Sequence, residues 1–217
     1  LDGAQQAWRQ LREALQQERA NRSLLEQISA EGDEFTALAL RNSQRAADLV
    51  THFKAVDVVS SQTEMLDLAS FLRDFGECYG HEFEQQGHHL TLSIATDLPQ
   101  VRLVPDALSE ALQRIFGNIR DHAFGPGVHG EIGVAARCTP EQQIEITVSD
   151  NGQGIAADAI DKVFDPFFSS KTGNGKHIGL GLHIAWNQVT HRLHGRMSIR
   201  STAGQGTIVT ILLPVTA

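Results

Sequence analysis

Asp150-Asn151-Gly152-Gln153-Gly154-Ile155 is the stretch on which the fold turns. It follows Ile144, Ile146 and Val148, an alternation that predicts a strand over Gln143 to Asp150. A carboxylate followed by two glycines at alternate positions can form a small-molecule floor. The carboxylate accepts a hydrogen bond from an amine, and residues without Cβ let backbone approach a flat ring. The same hexapeptide is also good turn chemistry. Its neighbours in the chain decide between the two.

Downstream of Asp150 lie two further clusters. Val163-Phe164-Asp165-Pro166-Phe167-Phe168-Ser169-Ser170-Lys171 makes a poor strand and a poor turn. It reads as an aromatic hinge at the root of a mobile loop, ending on Lys171 as a phosphate partner. The plain alternative is ordinary core. Next, Gly173 to Leu182 carries glycines into a predicted helix from about Gly181 to Leu193. Free N–H groups at that helix start, with close approach at Gly179 and Gly181, suit an anion. Upstream, Asn118 to Phe124 ends a helix that starts at Pro105 and turns Leu108, Leu112, Ile115, Phe116 and Ile119 inward. Asn118 and His122 are four apart and share a face. An amide oxygen at Asn118 suits Mg²⁺, which keeps its waters and bridges phosphates, and His122 can donate to a phosphate. Each cluster alone has a bland reading: solvated helix end, turn, core, flexible loop. In this order within one domain they predict a nucleotide site.

The rest of the 217 residues frames that site. Residues 1–59 read as a helical hairpin, with a break at Ala20-Asn21-Arg22 and a capping box at Ser23-Leu24-Leu25-Glu26. Ile28, Phe35, Asn42, Leu49 and Val56 recur every seven residues, a seam that predicts pairing with a second copy over packing on the chain's own body. Residues 60–217 then alternate helix and strand. A short strand over Glu64 to Leu68 precedes a helix from Ala69 to Gln86 with Leu72, Phe75, Tyr79 and Phe83 on one face. Strands follow at Leu90 to Ile94, Val101 to Val104 and Glu131 to Arg137. A short helix over Ala156 to Phe164 and final strands Arg196 to Ser201 and Gly206 to Leu213 complete the set. The fold class is α+β, a helical hairpin followed by an α/β sandwich with helices on one face of a mixed sheet.

Net charge is −8, which argues against a general nucleic-acid or anionic-membrane surface, so a polyanion must be held locally. The two cysteines, Cys78 and Cys138, lack metal-ligand spacing and are expected as packed, free thiols. No apolar run nears the roughly 18 residues of a membrane span. The chain starts at Leu1 and is expected to be a piece of a longer protein. It is expected to be cytoplasmic, with any membrane anchor outside these residues.

Asn118, Asp150-x-Gly152-x-Gly154-Ile155, the Phe164-Asp165-Pro166-Phe167-Phe168 run and Gly179-Leu180-Gly181-Leu182 resemble the N, G1, F and G2 boxes of bacterial sensor histidine kinases. These boxes line the Bergerat ATP fold, which gyrase, heat-shock chaperone and mismatch-repair ATPases share. Gly206-Thr207 matches the family's last hairpin, where the Thr helps hold the adenine region. The F box points to the kinase branch, and the resemblance covers residues 60–215. Arg45 to Val50 and Phe53-Lys54 resemble the second helix of the family's dimerisation domain. The resemblance implies a protein histidine kinase that uses ATP and Mg²⁺. Catalytic roles go to Asn118, the metal ligand, and Lys171. Nucleotide contacts go to Asn118, His122, Asp150, Gly152, Gly154, Ile155, Lys171, Gly179, Leu180, Gly181, Leu182 and Thr207. The implied partners are a second copy, through the hairpin, and the receiver domain of a response regulator; nucleic acid is not one.

Departures from the pattern fall on the phosphate grip and the rate. Arg114 stands where a second Asn is usual, Asp121 where a Lys is common, and His177-Ile178-Gly179 where Gly-Thr-Gly is usual. The phosphoacceptor box, His-Glu followed by Pro, is absent. His52, the first histidine, reads as a surface or seam residue, and His81, His88, His89, His129, His183, His191 and His194 read as surface residues. The γ-phosphoryl would therefore go to a histidine absent from this chain, which alone is expected not to autophosphorylate. The alternative is a degenerate kinase serving as a nucleotide-sensing or partner-binding module.

Overall fold

The computed structural model describes residues 30, 32–34, 36–37, 62–168 and 179–215. Two compact units divide at Ser60 and Ser61. In the first, Ala30, Gly32 to Glu34 and Thr36 to Ala37 are helical, and the Thr36 hydroxyl donates to the Gly32 carbonyl at 2.8 Å. The capping box, the whole seven-residue seam from Ile28 to Val56, His52 and the Arg45 to Lys54 stretch lie outside the described residues.

The second unit opens with strand β1 (Glu64–Leu66) and helix α1 (Leu68–Gln85), followed by β2 (His89–Ile94) and β3 (Val101–Leu103). Helix α2 (Pro105–Asn118) runs into a widened π turn, Ile119–Ala123. Then come β4 (Glu131–Cys138), β5 (Gln143–Asp150), a single 3₁₀ turn at Ile160–Lys162 and helix α3 (Gly181–Asn187). Helix α3 continues as a π turn, Gln188–Arg192, before β6 (Arg196–Thr202) and β7 (Gly206–Pro214) close the fold. The main sheet has the order β2-β4-β5-β7-β6, parallel only at β2–β4, and β1 and β3 form a separate antiparallel pair.

Period-2 alternation fixes which side chains meet the helices. One rank crosses the whole sheet, pairing Leu92 with Val134, Val134 with Val148, Val148 with Val209 and Val209 with Ile199. Against this face pack Leu68, Leu72 and Phe83 of α1, Leu108, Leu112, Ile115 and Phe116 of α2, and Ala185 and Val189 from α3 and its extension, in one core cluster. Asp67 caps α1, its carboxylate accepting from the Ser70 amide at 3.1 Å. Gly76 lies inside α1 because a Cβ there would sit 2.5 Å from the Leu92 Cδ2 atom, so its absence lets α1 approach β2.

Three expectations fail. The segment Ala156 to Phe164 forms no α-helix, only the turn at Ile160–Lys162. Its amides close successive i→i−3 turns, Ala159 on Ala156 and Lys162 on Ala159, each at 3.0 Å, after the preceding Ile155 amide is held by Ser201 at the sheet end. Cys78 and Cys138 are exposed, not packed. Cys78 sits off the inward stripe of α1, and Cys138 is the last residue of β4. His88 is buried at 9% exposure, and His183 is half-buried, whereas the other described histidines named as surface residues are exposed or near the exposed rim.

Candidate functional site

The rank next to the apolar one explains the site. It pairs Leu90 with Ile132, Ile132 with Asp150, Asp150 with Thr207 and Thr207 with Ser201. These residues lie two positions along each strand from the apolar rank and so face the same, helix-covered side. The core face therefore turns polar at one end of the central strands, where Asp150, Thr207 and Ser201 stand side by side.

Three hydrogen bonds meet at Ser201. Its hydroxyl donates to the Gly206 carbonyl at 2.7 Å and accepts from the Ile155 amide at 2.8 Å. It also lies 2.9 Å from the Thr207 hydroxyl. With the single Ser201 proton directed at Gly206, the Thr207 hydroxyl donates to Ser201 and keeps its lone pairs for other partners. Asp150 accepts from the Gly152 amide at 2.9 Å. Burial pushes its carboxyl above the usual carboxylate range, against the opposing pull of the Gly152 and Thr207 amides. An ionised carboxylate held in such a place gains from an amine donor arriving with a ligand.

The glycines that follow Asp150 are spacing devices. A Cβ on Gly152 would lie 2.3 Å from the Ala123 carbonyl oxygen, and one on Gly154, at φ +63°, 2.0 Å from that of Thr202. The loop is thus clamped between the π turn after α2 and the β6–β7 hairpin. The Gln153 amide nitrogen donates to the Ala123 carbonyl at 2.8 Å, its side chain donates to the His122 carbonyl, and the Gly204 amide donates to the Gln153 carbonyl at 2.7 Å. Asn151 pins the other flank, accepting from the Glu131 amide at 2.8 Å.

Helix α3 meets α2 antiparallel. At one end a Cβ on Gly181 would sit 3.2 Å from Asn118 Oδ1. At the other, the buried Gln188 side chain donates to Glu110 at 2.5 Å. Glu110 also pairs with Arg114 at 3.4 Å, so Arg114 is drawn toward the start of α2. A side chain at 181 would fill the space before the Asn118 amide oxygen. That oxygen suits a hard cation that takes its remaining ligands from water and phosphate. Among the described residues no group of three or more His, Cys, Asp or Glu could hold a metal. Gly179, at φ +73°, lies where a Cβ would meet the Phe168 carbonyl at 2.5 Å, so the aromatic run and the start of α3 are in contact. Leu180 is buried, and Leu182 is half-buried against the core.

The structure brings Asn118, His122, Asp150, Gly152, Gly154, Ile155, Gly179, Gly181 and Thr207 to one end of the sheet and the adjoining helix ends. Lys171, like His177 and Ile178, lies outside the described residues. Within the aromatic run Phe164 packs on the core, whereas Phe167 is 47% exposed at φ +69°. Sequence inspection missed Ser201 and His183. The signal for Ser201 was its place two residues beyond Ile199 on an alternating strand facing Thr207.

A family model described as histidine kinase-, DNA gyrase B-, and HSP90-like ATPase matches residues 103–217, and the chain belongs to that family. A sensor histidine kinase, ZraS of Salmonella typhimurium, is 34% identical over 120 residues, covering 55% of this chain and 24% of its own. Sensor histidine kinase AtsR of Burkholderia thailandensis is 28% identical over 162 residues, covering 72% of this chain and 26% of its own. The chain thus spans about a quarter of the length of these curated relatives. In fold it resembles the catalytic domain of histidine kinase ThkA (TM-score 0.61, 19% identity, 71% of this chain and 96% of that one). It also resembles full-length ShkA solved with AMPPNP (TM-score 0.66, 20% identity, 91% of this chain and 40% of that one).

Proposed function

We propose that residues 60–217 are the ATP-binding catalytic domain of a sensor histidine kinase, and that residues 1–59 are part of its dimerisation hairpin. The observation that carries this is the polar rank Asp150–Thr207–Ser201 at the end of an apolar sheet face, closed by Asn118 and Gly181 where α2 meets α3. Asp150 accepts a hydrogen bond from the adenine amine. Gly152 and Gly154 keep the floor flat, Ile155 lines it, and Thr207 orients its edge. Asn118 holds Mg²⁺ by its amide oxygen, and His122, Lys171 and the amides from Gly179 through Leu182 take the phosphates. Held there, Mg²⁺ would supply charge neutralisation for phosphoryl transfer. The chain's contribution is positioning and electrostatics.

The acceptor is a histidine outside this chain, followed by a response-regulator receiver domain. The hairpin pairs with a second copy. The domain works on the cytoplasmic side, and any membrane attachment comes from segments outside these residues. Among the described residues no helix is long and apolar enough to cross a membrane. A second reading, a nucleotide-sensing module without phosphotransfer, draws on Arg114, Asp121, His177 and Ile178 standing at family positions. Incubating the full-length gene product with γ-labelled ATP separates the two. An acid-labile label on an upstream histidine is expected. ATP binding with no label would favour the second reading.

A further inference from the structure

His183 was set aside in the sequence as a surface residue, yet it makes two directed bonds. Its Nδ1 lies 2.9 Å from the Phe164 carbonyl, and its Nε2 lies 3.0 Å from the Asn187 side-chain nitrogen. A carbonyl only accepts, so Nδ1 carries the proton, and Nε2 then accepts from the Asn187 amide one turn further along α3. The ring is thereby braced from within its own helix and aimed at the first phenylalanine of the Phe164 to Phe168 run. A second contact ties the same two pieces. The Phe167 and Phe168 backbone lies against Gly179, too close for any side chain there. Two residues on, Gly181 lies against the Asn118 amide. The aromatic turn, the start of α3 and Asn118 are therefore in series, and His183 is the polar link between the first two.

We propose that His183 is a positioning residue of the nucleotide site. Through the Phe164 carbonyl it fixes the aromatic turn on α3 and so sets the gap between Gly179–Gly181 and Asn118, where the terminal phosphate and its cation are held. The inference rests on the nucleotide reading above. It places the effect of His183 at the phosphate end and not at Asp150.

The two conservative variants of His183 differ in the right way. An Asn side chain puts its amide nitrogen two bonds beyond Cβ, where Nδ1 is. A Gln side chain puts its own three bonds beyond, where Nε2 is. His183→Asn therefore keeps the donor to Phe164, and His183→Gln loses it. Calorimetric titration of this chain with Mg-ATP and Mg-ADP is the test. His183→Gln is expected to weaken ATP about tenfold and ADP less than threefold, whereas His183→Asn stays within threefold of wild type for both. Equal affinities for the Gln and Asn variants, or equal loss for ATP and ADP, would overturn the positioning role while leaving the nucleotide reading intact. A wild-type chain that binds neither nucleotide would overturn that reading, and this inference with it.

Discussion

Asp150 holds its carboxyl in half-buried surroundings that raise its pKa, with burial the leading cause. A raised folded-state value means the folded chain binds the proton more tightly than the unfolded one. Stability is then greatest below the unfolded value and declines as pH rises through the folded one. At neutral pH the ionised carboxylate weighs against the empty fold. Asp150→Asn is thus expected to melt at or above the wild-type temperature at pH 7, and calorimetric scanning checks this. His88 behaves in the opposite sense. Its Nδ1 accepts from the Gly130 amide at 3.0 Å, and its ring lies 4.4 Å from that of Phe124. Burial, with the nearby His129 a smaller cause, lowers its pKa. The stability that neutral His88 provides is complete above the ordinary histidine value of about 6.5 and is lost as pH falls through the folded value. His88→Asn keeps an acceptor for Gly130 and removes the titration, so its melting temperature should fall less between pH 7 and pH 5. Gly154 was legible as a close-approach residue, but its neighbour was not. The Thr202 carbonyl comes from a hairpin about fifty residues later. Gly154→Ala should cost about 1–3 kcal/mol or more by denaturant midpoint, because both φ and the carbonyl oppose it.

Helices α2 and α3 are joined by groups no local pattern reveals. Gln188 is 5% exposed and donates to Glu110, while Arg192 donates to the Gln188 oxygen at 3.1 Å. Glu110→Leu leaves a buried amide without its acceptor and should lower stability by about 1–3 kcal/mol. Glu110→Gln retains an acceptor and should cost less. Urea unfolding of the pair measures the difference. At this scale the sequence was read best where one period ran uninterrupted. The inward stripe of α2 and both edges of β5 came out as expected, because amphipathic spacing needs no knowledge of the partner. The π turns after Asn118 and Asn187 were not legible. They continue two helices past their C-terminal ends, the first beside the site and the second at the opposite end of α3, where packing, not propensity, sets the backbone. The segment after Ile155 misled for a related reason. Its alanines favour helix, but its amides close successive three-residue turns, Ala159 on Ala156, Lys162 on Ala159 and Asp165 on Lys162.

For the whole molecule, the division at Ser60 and Ser61 and the single core of the second unit predict that residues 61–217 fold alone. That piece should melt cooperatively within a few degrees of the catalytic unit in the longer chain. In sedimentation it should be a monomer where the longer chain is a dimer, if the hairpin pairs as proposed. The order of the four clusters made the site legible as a set. Its geometry was not, since Asp150, Thr207 and Ser201 become neighbours only through the pairing of β5 with β7 and β7 with β6. That rank carries the proposed nucleotide site, in which Asp150 is proposed to read the adenine amine. Titration of wild type and Asp150→Asn with Mg-ATP tests it most directly. Loss of one charge-assisted bond of about 1.5–3 kcal/mol predicts affinity at least about tenfold weaker, down to no measurable binding, in a variant that still melts cooperatively. Wild-type affinity retained by Asp150→Asn would contradict the assignment.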